Sequence, residues 1–245
     1  MAIFAANDAR IYLAQYGLSA WCKTLELTHK AAALDSTTFG TNGTKTNIAG
    51  LKEINLSASG FQDYAVGGPD NIMATKFALA DVPVTVSPDG GEAGEVAYCF
   101  KALAVDYNPM SGSVGEIAPF TLAAVQSSGK LVRGVIGATG TKTSTAAGDD
   151  QVIGAVSAAQ SIYAALHVLT VSGTNPTLDV IVESDADGNF AAGATTQVTF
   201  AQATAATSEF KSAAGAITDT HWRVSWTIGG TDTPTFMFVV AIGIA

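Results

Sequence analysis

Charge is the first thing this chain is short of. Lys, Arg, Asp and Glu together make up 13% of its 245 residues, about half the roughly 25% usual in soluble domains. Ala, Gly, Thr and Ser fill the gap, the profile of a β-rich structural protein with short side chains. Basic residues are the scarcer sign, 12 against 21 acidic ones for a net charge of −9. Such an exterior repels nucleic acid and anionic membrane, which excludes a binder that works through a basic face. After residue 150 the shortage sharpens: 10 basic residues stand against 14 acidic ones up to that point, and only Lys211 and Arg223 against 7 acidic ones beyond it.

Cysteine is nearly absent. Cys22 and Cys99 are an isolated pair without C-x-x-C spacing, which supports neither a structural zinc site nor a disulfide framework. Both are expected to be buried thiols. No run of about 18 apolar residues occurs, and the N-terminal residues carry no basic segment followed by an apolar one. No membrane association is expected, and cytoplasmic synthesis and assembly are.

The sequence also lacks the spacings that chemistry requires. His29, His167 and His221 are the only histidines; they lie far apart, and none belongs to an H-E-x-x-H pair. No G-x-S-x-G elbow, phosphate-binding loop or dinucleotide fingerprint is present. Asp185, Asp187 and Asn189 resemble the start of a calcium loop, but Phe190 and Thr196 stand where such a loop needs Gly and Glu. A tight turn is the expected reading there, with a weak surface cation at Glu183, Asp185 and Asp187 left open. No catalytic residue, metal or cofactor is assigned, and the chain reads as a non-enzyme. A hydrolase with an unrecognised site has no residue to support it.

What is present is alternation and turns. Strands are predicted at 10–15, 21–33, 51–61, 82–87 and 95–107, and a hairpin at 117–136 turning at Gln126 to Gly129. One short helix is predicted over 71–80, after Pro69 and Asp70. Residues 137–150 contain no large apolar side chain and read as a linker. Beyond it, strands are predicted at 162–172, 178–183, 197–200, 221–228 and 235–244, with turns at 173–176, 185–189 and 229–234. Trp222, Val224, Trp226 and Ile228 share one face of a strand. Phe236, Phe238, Val240, Ile242 and Ile244 line another, whose opposite face, Met237, Val239 and Ala241, is also apolar and therefore covered. Trp222, Trp226 and Phe236 suit a sandwich core better than a sugar-stacking platform. The fold class is mainly β: an N-terminal sandwich or barrel with one short helix at 1–140, and an antiparallel, jelly-roll-like sandwich at 151–245.

One stretch is more than generic β-structure. Residues 35–47 are almost wholly Ser, Thr, Gly, Asn and Asp, longer than a mere connection needs and too polar for a core. A strand follows in which Ile54, Leu56 and Ala58 alternate with Asn55, Ser57 and Ser59. Leu34-Asp35-Ser36-Thr37-Thr38-Phe39-Gly40, then Ile48-Ala49-Gly50-Leu51 and Leu56-Ser57-Ala58-Ser59-Gly60-Phe61, resemble the major tail tube proteins of long-tailed, siphovirus-like bacteriophages over roughly the first 135 residues. The resemblance implies a homo-oligomeric virion protein assembled in the host cytoplasm: hexameric rings, stacked into a tube, that contact other tail proteins. DNA would pass through the lumen without specific binding. It further implies that Asp35, Thr38, Phe39 and Gly40 anchor the loop, while Thr41, Asn42, Gly43, Thr44, Lys45 and Asn47 lie at an inter-subunit interface.

Residues 173–178, with Trp222 to Val224 and Gly229 to Thr231, resemble jelly-roll modules appended to phage structural proteins. This implies an outward, decorating domain for which host glycans are candidate ligands. Two alternatives stay open at this point: a carbohydrate-binding or adhesin-type sandwich protein, and a duplicated tube domain forming trimeric, pseudo-hexameric rings. No repeat of the loop and its strand is visible in the second half.

Overall fold

A computed structural model describes residues 7–191 and 193–245. The protein is mainly β, a single 13-stranded sheet in which every strand pairing is antiparallel. In chain order the elements are β1 (Arg10–Leu13), β2 (Tyr16–Gly17), β3 (Cys22–Asp35), β4 (Asn47–Phe61), α1 (Pro69–Lys76), β5 (Val82–Ser87), β6 (Val96–Asn108) and β7 (Pro119–Lys142). They continue as β8 (Ala146–Ala147), β9 (Gln151–Val152), β10 (Ser161–Asp185), β11 (Thr195–Thr199), β12 (Thr207–Ala214) and β13 (His221–Ile244). The main path runs β11-β10-β13-β7-β6-β5-β1-β2; β12 joins β10, β4 joins β7 with β3 outside it, and β8 and β9 join β13.

Two apolar cores form on this sheet. The first gathers Ile11, Leu18, Ile54, Leu56, Val84, Phe100, Phe120 and Leu122 and is closed by α1 through Ile72 and Met73. The helix starts at Pro69, whose fixed φ suits the first helical position, carries Asp70 in its first turn and stops at Lys76. The second gathers Leu166, Val180, Val182, Trp222, Val224, Trp226, Phe236, Phe238 and Val240. Trp222 is fully buried and donates its indole N–H to the Gly154 carbonyl at 2.8 Å. Trp226 donates to the Ser144 carbonyl at 2.9 Å. Neither ring is free to stack on a sugar.

Strand β7 ties the cores together, and it corrects the hairpin predicted at 117–136. The chain runs straight through Gln126 to Gly129 as one strand of 24 residues. Its first part lies between β4 and β6, and its last part pairs with β13 from Gly134↔Gly243 to Lys142↔Phe236. Gln126 to Gly129 form an irregularity in the β6–β7 register instead of a turn. The reason lies 46 residues away: the Ser127 and Ser128 hydroxyls each donate to Asp81 Oδ1 at 2.7 Å. The same hydroxyls, with Lys101, hold the Asp81 carboxyl down to about 2. Residues 137–142, expected in a linker, are strand because they pair with β13. Where β7 meets β13 the backbones approach so closely that a Cβ on Gly134 would stand 1.9 Å from the Ile242 carbonyl oxygen.

The turns predicted at 173–176 and 229–234 are likewise replaced. β10 and β13 form one continuous ribbon, from Ile162↔Ile244 to Asp185↔His221, with register shifts around Ser172 to Thr177. Gly173, Asn175, Gly230, Asp232 and Thr233 take positive φ there, so both strands bulge at the same level and neither reverses. The expected turn at 185–189 is present. A third, smaller cluster of Tyr12, Cys99, Val132, Ile136, Ala165, Val239 and Ala241 fills the junction between the halves. It covers the second face of β13, except that Met237 remains exposed.

His167 sits at that junction, fully buried. Its Nε2 is 2.8 Å from Thr85 Oγ1 on β5, and its Nδ1 is 2.6 Å from the Ala14 carbonyl oxygen after β1. One imidazole on β10 thus satisfies two polar groups of the N-terminal half. Burial lowers its pKa to about 4, so the neutral ring is the one built into the fold.

Candidate functional site

The feature that stands apart from both cores is the β3–β4 ribbon. Its strands pair from Cys22↔Gly60 at the root to Asp35↔Asn47 at the tip. A third strand, β7, supports it only from Asn55 to Phe61. Outward of Ile54 no residue between Ala31 and Glu53 is buried. The polar stretch is therefore shorter than the sequence suggests, because β3 ends at Asp35 and β4 begins at Asn47.

The loop between them closes on itself. Asp35 Oδ1 accepts the Thr37 N–H at 2.8 Å, and Thr37 Oγ1 accepts the Thr46 N–H at 3.1 Å. Ser36 and Thr46 bridge backbone to backbone at 2.9 Å. The Thr37 hydrogen bonds hold the Asp35 carboxyl below its ordinary range. Lys45 Nζ reaches Asp35 Oδ2 at 4.0 Å. Phe39, Gly40 and Thr41 make a single 3₁₀ turn that Asn42 ends in the left-handed region, at φ 49°. Gly43 follows at φ 78°, and such a pair of positive φ values is readily taken by Asn and Gly. Thr41 Oγ1 donates to the Thr38 carbonyl at 2.7 Å, and the Thr44 N–H donates to the Thr41 carbonyl at 3.0 Å.

Asp35 and Thr38 thus brace the loop from within the chain. Phe39 does not: its side chain is fully exposed. Gly40 faces open space apart from the Thr38 hydroxyl. Thr44, Lys45 and Asn47 are exposed on the return side.

Sequence reasoning missed three apolar neighbours of this tip. Leu34 and Ile48 are a cross-strand pair, and Leu34 lies over Gly50, where a Cβ would come within 3.0 Å of Leu34 Cγ. With Leu51 they leave about half or more of their surface in solvent: 50% for Leu34, 59% for Ile48 and 88% for Leu51. No second layer covers that part of the ribbon.

Among the described residues no catalytic constellation competes with this feature. Among the described residues no three His, Cys, Asp or Glu side chains are grouped to hold a metal ion. His29 is exposed on β3, His167 is in the core, and His221 pairs with Asp150 at 2.6 Å. The carboxylates of the 185–189 turn do not converge. Asp185 accepts the N–H groups of Asp187 and Gly188, while Glu183 is bonded to Arg223 at 2.9 Å and to the Ser225 hydroxyl at 2.5 Å. Both cysteines are free: Cys99 is buried, its thiol pushed up to about 12, and Cys22 is half-buried, pushed up to about 11. An open groove of about 430 Å³ runs along the ribbon's root, lined by Leu25, Leu27, His29, Val86, Tyr98 and Leu131.

No protein-family model and no curated protein matches the chain. Among solved structures, a chain from the virion of a native gene transfer agent aligns at 17% identity over 53% of this chain and 97% of its own, with a TM-score of 0.42. A chain from an extracellular contractile injection system, in a sheath–tube complex, aligns at 8% identity over 54% and 92%, with a TM-score of 0.40. The SPP1 Dit protein of a phage adsorption hub aligns over 97% of this chain and 99% of its own, at 12% identity and a TM-score of 0.35.

Proposed function

We propose that the protein is the major tail tube protein of a bacteriophage or phage-like particle: a structural, non-enzymatic subunit that polymerises into stacked rings. The ribbon beyond Asn55 carries this reading. A two-stranded hairpin without a third strand is marginal in water, and apolar residues exposed on such an element mark a surface that another chain covers. Leu34, Phe39, Ile48 and Leu51 supply that surface, and Asp35 to Asn47 keep the tip in one shape. In the assembly, hexameric rings enclose a lumen through which DNA passes, and the net charge of −9 keeps the wall from holding it. The C-terminal half, with its separate core, is placed on the outside, within reach of other tail proteins. The adhesin alternative has lost its motivating residues, since Trp222, Trp226 and Phe236 are buried.

Purified protein examined by negative-stain electron microscopy over a range of concentrations tests this. Rings or tubes of constant diameter are expected. A monodisperse monomer at every concentration is the contrary result.

A further inference from the structure

The proposed function uses the ribbon beyond Asn55 and gives no role to the outer edge of its root. Strand β3 pairs with β4 alone. Among the described residues, no backbone hydrogen bond reaches Lys23 to Leu34 from the side away from β4. An open edge of this length is a template for any extended chain, and folded proteins cover or blunt such edges. The groove of about 430 Å³ lies beside it. Leu25, Leu27 and His29, alternate residues on one face of β3, form one wall, and Val86, Tyr98 and Leu131 form the other.

The groove continues into a seam in the sheet. A second cavity, of about 530 Å³, separates Asn7 to Ile11 from Cys22 to Leu25. The path from β3 through β4, β7, β6 and β5 to β1 therefore returns almost to its start without closing. The Ile11 N–H donates to Ser19 Oγ at 2.9 Å, and Ala9 shares the groove with Leu25. Traced backward from Ile11, the chain thus runs beside β3 toward its outer part, antiparallel to it. Residues 1–6, Met1-Ala2-Ile3-Phe4-Ala5-Ala6, lie outside the described residues and join the fold at Asn7, on the rim of the seam. None of their side chains is charged, and Ile3 and Phe4 are large and apolar. Six residues of extended chain span about 20 Å, which matches β3 from Leu25 to Lys30.

We infer that residues 1–6 close this seam in their own protomer as an added antiparallel strand on the outer edge of β3, with an apolar side chain of the Ile3-Phe4 pair seated in the groove. The tether favours this occupant over a free ligand or a second copy. A segment joined at the groove's mouth is held there at a high effective concentration, and none of the apolar area it buries is spent on bringing two molecules together. Closure covers the root of β3 and leaves open backbone only on the arm outward of Lys30. The inference concerns the protomer alone, so its failure leaves tube formation standing.

The test uses the full chain carrying a benzophenone amino acid in place of Ile3 or, separately, Phe4. Isotope-labelled and unlabelled preparations are mixed in equal amounts and irradiated, and crosslinked peptides are identified by mass spectrometry. Crosslinks to Leu25, Leu27, His29, Tyr98 or Leu131 are expected from at least one of the two positions, always between peptides of the same label. Mixed-label pairs assign the groove to another copy and overturn the inference, as do crosslinks elsewhere or none at all. As a second readout, I3S with F4S should speed amide hydrogen exchange in peptides covering Lys23 to Lys30 roughly tenfold while leaving β10 and β13 unchanged. Equal exchange at Lys23 to Lys30 in the variant and the unaltered chain would mean that the edge is open in both.

Discussion

Two of the molecule's long antiparallel ribbons have opposite fates. In the β10–β13 ribbon both strands have further neighbours: β12 and β11 flank β10, and β7, β8 and β9 flank β13. Its apolar residues meet inside a core, with Trp222, Phe236, Phe238 and Ile242 at 0% exposure. The β3–β4 ribbon has a neighbour only at its root, and Leu34, Ile48 and Leu51 remain in water. Alternation alone does not distinguish the two. A third strand turns an apolar stripe into a core, and without one the stripe stays exposed, as a surface that another chain can cover.

This contrast can be broken from the core side first. Trp222→Ala removes a fully buried indole and leaves the Gly154 carbonyl without its donor, so unfolding free energy should fall by about 3 to 5 kcal/mol. A denaturant titration reads this directly, and a loss below about 1 kcal/mol would mean that the second ribbon is not packed as described.

The junction comes next. His167 is neutral in the fold, with a pKa lowered to about 4 from an ordinary value near 6.5. Between those values the unfolded chain binds the proton more readily. Stability present above pH 6.5 is therefore lost as pH falls toward 4, by about 3 kcal/mol from this group. His167→Gln should flatten that part of the pH–stability curve. An unchanged slope in the variant would place the titrating group elsewhere.

The smallest stability effect should come from the arm. Phe39→Ser and Leu51→Ser are expected to alter unfolding free energy by less than about 0.5 kcal/mol, because neither side chain is buried in the protomer. Sedimentation velocity should nevertheless show weaker self-association for both. Losses of 2 kcal/mol in the monomer would put these side chains in a core after all.

Much of this was legible from period-2 alternation. The faces of β13 and the inward set Ile54, Leu56 and Ala58 follow from it, and Pro69 with Asp70 marked the start of α1. Illegible were the events decided by distant partners. Gln126 to Gly129 carry turn chemistry, yet the Ser127 and Ser128 hydroxyls bond to Asp81 and the segment forms a bulge. Residues 173–176 and 229–234 each look like a turn alone, but they face each other across one ribbon, so both bulge and pairing continues. His167 finds its partners 82 and 153 residues away in sequence. At the arm, sequence located the polar tip but not the exposed leucines behind it, because alternation does not report whether a second layer exists.

The central claim is that the arm is an assembly element and not a part of the protomer's core. Replacing residues 36–46 by Asn-Gly keeps the Asp35–Asn47 pairing within a two-residue hairpin and removes only the tip. Electron microscopy of this variant beside the unaltered chain should show a folded, soluble protomer that forms no tubes. Normal tubes from the shortened arm would contradict the claim.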